Sequence, residues 1–299
     1  MKKKTSPFVQ LLMLLLLTAG GLFGLFILLF VYLFVSVLTG KTEDLSDLMA
    51  MTSSMGLESI SSIIMMALPV YLLALIFYRH EMRDFMKLYF DGRKWLLAVA
   101  AIAVYALLVP FDNWLMVCND KMNFGGFFAG FSQQYYDLIY GQIQSATEKG
   151  VVGLLLLIVI LAVIPAVCEE LFFRVGVQQL MGKWLKNNHV AIVITALIFS
   201  FVHLDMSGFL SRFVMGLVLG YVFYYSRSIV PNVMLHFVNN AVYAVTYYVA
   251  FCNGTSIQEL EEPWNIHWIV TILCTAASVA LFWFCFVRQN KSAEELPAE

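Results

Sequence analysis

The sequence predicts an all-α, polytopic membrane protein, and two observations support this fold class. Of the 299 residues, 61% are hydrophobic and 13% are charged, whereas soluble domains are about 45–50% apolar and about 25% charged. The apolar residues also form runs long enough, or nearly long enough, to cross a bilayer as helices. The net charge of −2 argues against nucleic acid as a partner, so the expected surroundings are the lipid bilayer.

Eight apolar segments are the predicted transmembrane helices. They lie at about residues 8–38, 57–78, 95–111, 151–181, 190–204, 209–226, 230–250 and 265–287. The first segment is too long for the hydrophobic region of a signal peptide, which has about 7–15 residues, so we expect it to remain as a span. No repeat period or low-complexity linker divides the sequence, and residues 1–299 are therefore predicted to form a single membrane domain.

The distribution of lysine and arginine predicts the orientation, because cytoplasmic loops carry an excess of both residues. If the N terminus lies inside, the outer segments hold few of them: Lys41, Lys121 and Lys149. The inner segments collect most of the others, which are Lys2, Lys3, Lys4, Arg79, Arg83, Lys87, Arg93, Lys94, Lys183, Lys186, Arg227, Arg288 and Lys291. We therefore expect both termini in the cytoplasm, and a plasma membrane, expected to be bacterial, as the location.

Two connecting stretches have a distinctive composition. The inner stretch, residues 79–94, interleaves basic and apolar residues, which predicts an interfacial helix whose cationic side chains reach the lipid headgroups. Plain anchoring is one interpretation of this stretch, and a lipid-phosphate site is the other. The outer stretch, residues 112–149, is rich in glycine and aromatic residues, as in the aromatic belts of membrane proteins. We interpret it as a loop and assign it no chemistry.

The fourth predicted span carries charges at membrane depth, in the segment PAVCEELFFR of residues 165–174. A charge at the bilayer centre costs roughly 2.5–3.5 kcal/mol, so such residues normally have a partner or a function. Glu170 and Arg174 are four residues apart on one helix face and can form an ion pair that fixes the helix register. Glu169 points about 100° away and has no basic residue four positions from it. It is therefore a candidate acid or base.

Two later spans also contain strongly polar residues. His203 ends the fifth segment, where a histidine alone is typical of a hydrogen-bonded interface residue. His236 and Asn240 share one face of the seventh segment, and Asn232 lies one turn the other way; polar contacts between helices would explain them individually. Helical rise places Glu169 and His203 at matched depth, about 18–20 Å from the inner ends of their helices, and His236 a turn or two shallower. A tilt, or a submerged loop before Pro231, would have to absorb that difference.

Taken together, these side chains are sufficient for hydrolysis. A carboxylate and an imidazole can take a proton from water, while a second imidazole and an amide can donate to an oxyanion. A metal site is the alternative, because Glu169, His203 and His236 could bind a divalent ion such as zinc and leave one position for water. The helical HExxH signature is absent from the sequence, so such a site would have to be assembled from separate helices.

Three motifs in this order resemble those of the type II CAAX prenyl endopeptidases, within the CAAX-protease and bacteriocin-processing (CPBP) family of intramembrane proteases. They are EExxxR at Glu169, Glu170 and Arg174, FxxxH at Phe199 and His203, and HxxxN at His236 and Asn240. The resemblance covers about residues 150–250, which we interpret as the catalytic core. It implies an eight-helix intramembrane endopeptidase whose active-site cavity opens to the cytoplasm.

The resemblance also implies roles for these residues. Glu169 and His203 would activate the water, and His236 and Asn240 would stabilise the oxyanion. Glu170 is counted among the catalytic residues, and with Arg174 as a structural ion pair it would hold the cavity together. The family is described as metal-dependent, although water activated by a glutamate requires no metal.

Two other functions remain open at this point. Intramembrane glutamate and histidine also build proton relays, so an ion-coupled transporter is one alternative, although no inverted repeat or pair of broken helices supports it. A catalytically idle protein of bacteriocin self-immunity is the other. If the protein is a peptidase, its substrate is a CAAX-type C-terminal peptide, which requires a prenylated cysteine, or another membrane-associated peptide.

Overall fold

The computed structural model describes residues 5–39, 55–122, 125–255, 257–260 and 262–289. Within these ranges the chain forms helices and no β-strand, which confirms the all-α class. The N-terminal lysines and most of the predicted loop 41–56 lie outside the described residues. The helices are α1 (Pro7–Leu38), α2 (residues 55–77), α3 (Met82–Met86), α4 (Gly92–Asp120), α5 (Gly126–Thr147), α6 (Gly150–Leu185), α7 (Asn188–Phe201), α8 (Phe209–Ser226), α9 (Val230–Cys252), α10 (Ile257–Leu260) and α11 (Trp268–Val287).

Six of the described helices are long and apolar enough to cross a membrane, namely α1, α2, α4, α6, α8 and α11. The chain is therefore an integral, multi-pass membrane protein. The other two predicted spans also form helices, but each differs from a simple span. Helix α7 has 14 residues, fewer than the roughly 20 that a bilayer requires. Helix α9 has 23 residues but carries asparagines and a histidine, so the predicted count of eight spans is not established.

The predicted outer loop, residues 112–149, is mostly helical. Helix α4 continues to Asp120, and Gly126–Thr147 forms α5. Ile139, Ile143 and Ala146 are buried, and their spacing of four and three residues forms one apolar stripe. The stripe packs in a small core with Leu157 of α6 and Ala244 of α9. The abundance of glycine and aromatic residues hid this amphipathic pattern in the sequence.

The predicted interfacial helix of residues 79–94 is much shorter in the structure. Helix α3 spans Met82–Met86 and ends where Lys87 adopts a left-handed conformation. Helix α4 then begins at Gly92, and the Asp91 side chain accepts a hydrogen bond from the Lys94 amide (2.9 Å). Phe85 and Met86 are buried in the largest apolar core. This segment is thus packed into the helix bundle and does not lie as a long helix in the interface.

Helix α6 is the element that positions the charged residues. It is continuous over 36 residues, from Gly150 to Leu185, and contains π-helical stretches at Val159–Val163 and Leu171–Gln178. Glu169 and Glu170 lie between these stretches, in the α-helical segment Ile164–Glu170. The wider π-helical turns rotate the side chains that follow relative to an uninterrupted α-helix, and such turns frequently occur at functional sites.

Candidate active site

The centre of the polar cluster is the Glu170 carboxylate, which is fully buried. One oxygen, Oε2, accepts hydrogen bonds from Arg174 Nε (2.9 Å) and Asn232 Nδ2 (3.2 Å). The other oxygen, Oε1, lies 3.0 Å from His236 Nδ1. These donors come from α6 and α9, so Glu170 joins the two helices. With both oxygens engaged, this carboxylate is held in place and is poorly suited to exchanging protons with a substrate.

Arg174 forms the ion pair with Glu170 that the sequence predicts, and both side chains are completely buried. Its guanidinium lies over the ring of Phe199, with Cζ 5.3 Å from the ring centroid, which is a cation–π geometry. Neither Nη1 nor Nη2 has a hydrogen-bond partner among the described residues. The cation is therefore held through its Nε–H, the adjacent carboxylate and the aromatic face.

His236 has two differently placed ring nitrogens. Nδ1 faces the engaged Glu170, and because an ionised carboxylate only accepts hydrogen bonds, Nδ1 is the donor in that contact. Nε2 is 3.8 Å from Glu169 Oε2, which is too long for a direct hydrogen bond. A separation of this kind is one that a single water can bridge. Glu169 Oε2 is buried and has no hydrogen-bond partner in the described part of the chain, unlike either oxygen of Glu170.

His203 reaches the same region from the end of α7. Its Nδ1 is 2.7 Å from the carbonyl oxygen of Phe199; a carbonyl only accepts, so Nδ1 donates and Nε2 remains available as an acceptor. The Phe199 ring lies 5.2 Å from the His203 ring and 5.9 Å from the His236 ring, measured between centroids. His203 also lies within electrostatic range of Glu169 and His236.

Asn232 and Phe199 belong to this cluster, although the sequence alone gives no role for either residue. Asn232 also donates to the carbonyl of Leu219 (2.6 Å), so one amide group connects α9, α8 and Glu170. In the sequence, only the position of Asn232 one turn before His236 indicates that it could belong to the site. Phe199 was visible as the first letter of FxxxH, but its contact with Arg174 and with both histidines requires the fold.

Asn240 lies one turn beyond His236 on α9 and is half-buried. Its Oδ1 accepts a hydrogen bond from Asn239 Nδ2 (3.2 Å), which leaves its own amide hydrogens outside that bond. In the chain before α9, Ser228 and Ile229 are buried within the protein. The predicted difference in depth between His236 and the other two site residues stays a prediction.

A second polar network holds the turn that follows His203. Leu204 has a φ of 57°, and Asp205 forms an ion pair with Arg212 of α8 (2.8 Å). Asp205 also accepts hydrogen bonds from Ser132 (2.7 Å) and Ser207 (2.5 Å). Burial raises the pKa of Asp205, but the Arg212 cation and these hydroxyl donors outweigh it and hold the pKa below its usual range. The carboxylate is therefore the stable form in this turn.

A metal site is not evident from the arrangement of donor atoms. Within the described ranges, no group of three or more histidine, cysteine, aspartate or glutamate side chains is placed to hold a metal ion. The predicted candidates Glu169, His203 and His236 approach one another, but they do not form such a group. We therefore assign no chemical step to a metal.

The comparisons with known proteins agree with the motifs. Residues 151–242 match the family model described as type II CAAX prenyl endopeptidase Rce1-like. Comparison with curated proteins and with solved structures returned no match. The matched segment contains the residues of all three motifs, Glu169, Glu170, Arg174, Phe199, His203, His236 and Asn240. The predicted resemblance is thus confirmed for residues 151–242, which are similar to the type II CAAX prenyl endopeptidase Rce1-like family.

Proposed function

We propose that the protein is an intramembrane endopeptidase in which Glu169 and His203 activate the water that attacks a peptide bond. A membrane protease is the function that the family match implies. The observation that carries the finer proposal is the contrast between adjacent carboxylates. Glu170 is engaged on both oxygens, whereas Glu169 has a buried oxygen without a hydrogen-bond partner beside His236. A carboxylate in the second situation is suited to general-base chemistry.

The proposed reaction uses side chains of three helices. Glu169, assisted by the Nε2 acceptor of His203, takes a proton from water as the water oxygen bonds to the scissile carbonyl carbon. The carbonyl oxygen becomes an oxyanion. The proton then passes to the leaving nitrogen as the carbon–nitrogen bond breaks, giving a carboxylic acid and an amine. Because His203 Nδ1 is held by the Phe199 carbonyl, the ring presents Nε2 in a fixed orientation.

Oxyanion stabilisation falls to His236 and Asn240 in this proposal. His236 already uses Nδ1 toward Glu170, so it must carry a second proton on Nε2 in order to donate to an oxyanion. Glu170 supplies compensating negative charge for that doubly protonated ring, because Glu169 becomes neutral when it takes the proton from water. Asn240 has amide hydrogens outside its contact with Asn239 and would add a second donor. Hydrogen-bond donors of this kind are typically worth about 10²–10³-fold in kcat.

The proposed substrate is the C-terminal peptide that follows a prenylated cysteine, with another membrane-associated peptide as the alternative. A purified, reconstituted protein should therefore be assayed on a farnesylated CAAX peptide and on the same peptide without the lipid. Other substrates can be identified by mass spectrometry, as peptides that accumulate in the membranes of cells lacking the protein but not in those of wild-type cells. Cleavage of the farnesylated peptide, without cleavage of the peptide that lacks the lipid, supports CAAX processing.

The decisive experiment compares Glu169→Gln with the wild-type protein on whichever peptide is cleaved. We expect kcat to fall by about 10²–10⁴-fold, the usual size of a general-base contribution, with an unchanged melting temperature. His203→Gln should behave in the same way. Retention of more than about a tenth of wild-type kcat by either variant would contradict the assignment. Ion flux without peptide cleavage in proteoliposomes would favour a transporter, and full biological activity of Glu169→Gln would favour an idle immunity protein.

Whether a metal ion assists the reaction is tested separately, by removing and restoring the metal. If a divalent ion such as zinc takes part, dialysis against a chelator removes activity and added zinc restores it. Water activated by Glu169 and His203 alone predicts retained activity after the same dialysis. Metal content of the purified wild-type protein, compared with a Glu169→Gln and His203→Gln double variant, distinguishes an ion held at this site from one bound elsewhere.

A further inference from the structure

A cavity of about 150 Å³ lies at the predicted cytoplasmic end of the bundle, away from Glu169 and His203. Its volume is several times what one bound water needs. Lys87, Lys183 and Arg227 line it together with the amide side chains of Gln178 and Gln179, and its described lining includes no acidic side chain. We refer to this space as the cationic cavity. Three positive side chains around one open cavity favour an anionic ligand.

The cations are positioned by contacts between separate chain segments. The Lys87 carbonyl accepts a hydrogen bond from the Ile229 amide (3.1 Å), which joins the loop after α3 to the loop that contains Arg227. Ser228 Oγ donates to the Tyr89 carbonyl (3.1 Å) in the same junction. On α6, the Lys183 ammonium lies 5.6 Å and 5.9 Å from the ring centroids of Tyr78 and Phe85. The cavity is thus part of the packed fold.

Two of the cations occupy backbone positions that normally favour glycine. Lys87 has a φ of 55° and Arg227 a φ of 53°, each directly after a helix ends. Left-handed conformations of this kind cost least for glycine, so each position keeps a charged side chain at some conformational expense. Lys186 has the same charge and a φ of 53° at the end of α6, but it does not line the cavity. It is therefore a matched control.

Gln178 also borders the cavity and is held in place by α8. Gln178 is 5% exposed, and its Nε2 donates to the Gly220 carbonyl (3.0 Å). Its Oε1 is buried and has no hydrogen-bond partner among the described residues. This buried oxygen is not exposed to the cavity, so the three cations alone indicate the ligand chemistry, which is an anionic group.

We propose that the cationic cavity binds the phosphate of an anionic membrane lipid. The cavity lies at the ends of α6 and α8, which are apolar enough to span a membrane, so its cations lie near headgroup level. Anionic lipids of the cytoplasmic leaflet attract lysine and arginine there. A soluble phosphate ester has the same chemistry and is distinguished by experiment. This site is separate from the peptidase site and does not depend on the proposed function.

The test titrates the full-length protein, in phosphatidylcholine nanodiscs, with short-chain phosphatidylglycerol and follows its melting temperature and tryptophan fluorescence. We expect a saturable shift with phosphatidylglycerol and none with short-chain phosphatidylcholine. Arg227→Gln and Lys87→Gln should each raise the apparent Kd at least tenfold, whereas Lys186→Gln should change it less than twofold. Equal effects of Arg227→Gln and Lys186→Gln would indicate general surface attraction and overturn the site, as would equal binding of the two lipids.

Glycerol 3-phosphate identifies the source of the phosphate: displacement of the lipid by this ester supports a soluble ligand for the site. Persistent lipid binding in its presence supports a membrane lipid.

Discussion

At the scale of single residues, the adjacent carboxylates Glu169 and Glu170 have opposite environments. The sequence indicates this division, because Arg174 is placed to pair with one of them and not with the other. The structure adds Asn232 and His236 as further partners of Glu170. These contacts come from another helix at a separation of about sixty residues and cannot be read from spacing. The proposed chemistry depends on this asymmetry, since both oxygens of Glu170 are engaged while Glu169 Oε2 has no hydrogen-bond partner among the described residues.

Arg174→Ala should lower stability strongly, because it leaves the Glu170 carboxylate buried with its cationic partner removed. Breaking a buried ion pair in this way costs about 3–5 kcal/mol, measured as a lower melting temperature in detergent. The double variant Glu170→Gln with Arg174→Met removes both charges and should recover part of that loss. An unchanged melting temperature together with reduced turnover in Arg174→Ala would instead assign Arg174 to the chemistry.

The turn after His203 makes a residue-scale prediction of its own. Asp205 and Arg212 hold this turn next to a left-handed Leu204, so Asp205→Asn should displace the His203 ring. A misplacement of about 1 Å can cost up to about 10²-fold in rate, and we expect the loss in kcat with KM little changed. Asp137→Asn is the control, because Asp137 is exposed and pairs with Gln133 on α5.

A double-variant comparison separates this positioning role from a merely structural one. In a background that lacks the His203 imidazole, Asp205→Asn should cause no additional loss of kcat, since there is no ring left to position. A further loss of similar size in that background would show that Asp205 acts independently of His203.

At the scale of elements, some features of helix α6 can be predicted from the sequence and others cannot. Hydropathy predicts its position, and the Glu170–Arg174 spacing predicts its ion pair. Its π-helical stretches leave no clear signature among apolar residues. Likewise, the abundance of glycine and aromatic residues in α5 favours a loop, although its buried apolar residues have helical spacing. The predicted helix of residues 79–94 is longer than the observed α3, because α3 ends where Lys87 adopts a left-handed conformation that lysine rarely takes.

Gly153 should be essential for the approach of α5 to α6. A Cβ at this position would overlap the backbone of Ala146, so Gly153→Ala should destabilise the protein although alanine is the better helix former by about 1 kcal/mol. Gly141→Ala on α5 is the matched control, because a Cβ there meets no atom within 4 Å. We expect a lower melting temperature for the first variant and an equal or higher one for the second. The same sign for both changes would contradict the close packing.

At the scale of the whole molecule, the connecting segments divide between two ends of the bundle as the predicted orientation requires. At one end, Lys87 contacts Ile229, and Arg93 contacts Gln289. At the other end, Asn119 donates to the Met206 and Ser207 carbonyls, while Asn113 contacts Trp264. The structure thus separates the two sets of loops. The excess of lysine and arginine at the first end is the reason to expect that end in the cytoplasm.

Cysteine labelling tests this orientation. In a variant without other cysteines, the native Cys252, which is exposed at the end of α9, should react with a membrane-impermeant maleimide on intact cells. Lys186→Cys, in a variant from which Cys252 has also been removed, lies at the opposite end and is also exposed. It should react only after the cells are permeabilised. Labelling of Lys186→Cys from outside would invert the topology, and the cationic cavity would then face the outer leaflet, away from the cytoplasmic lipids proposed to fill it.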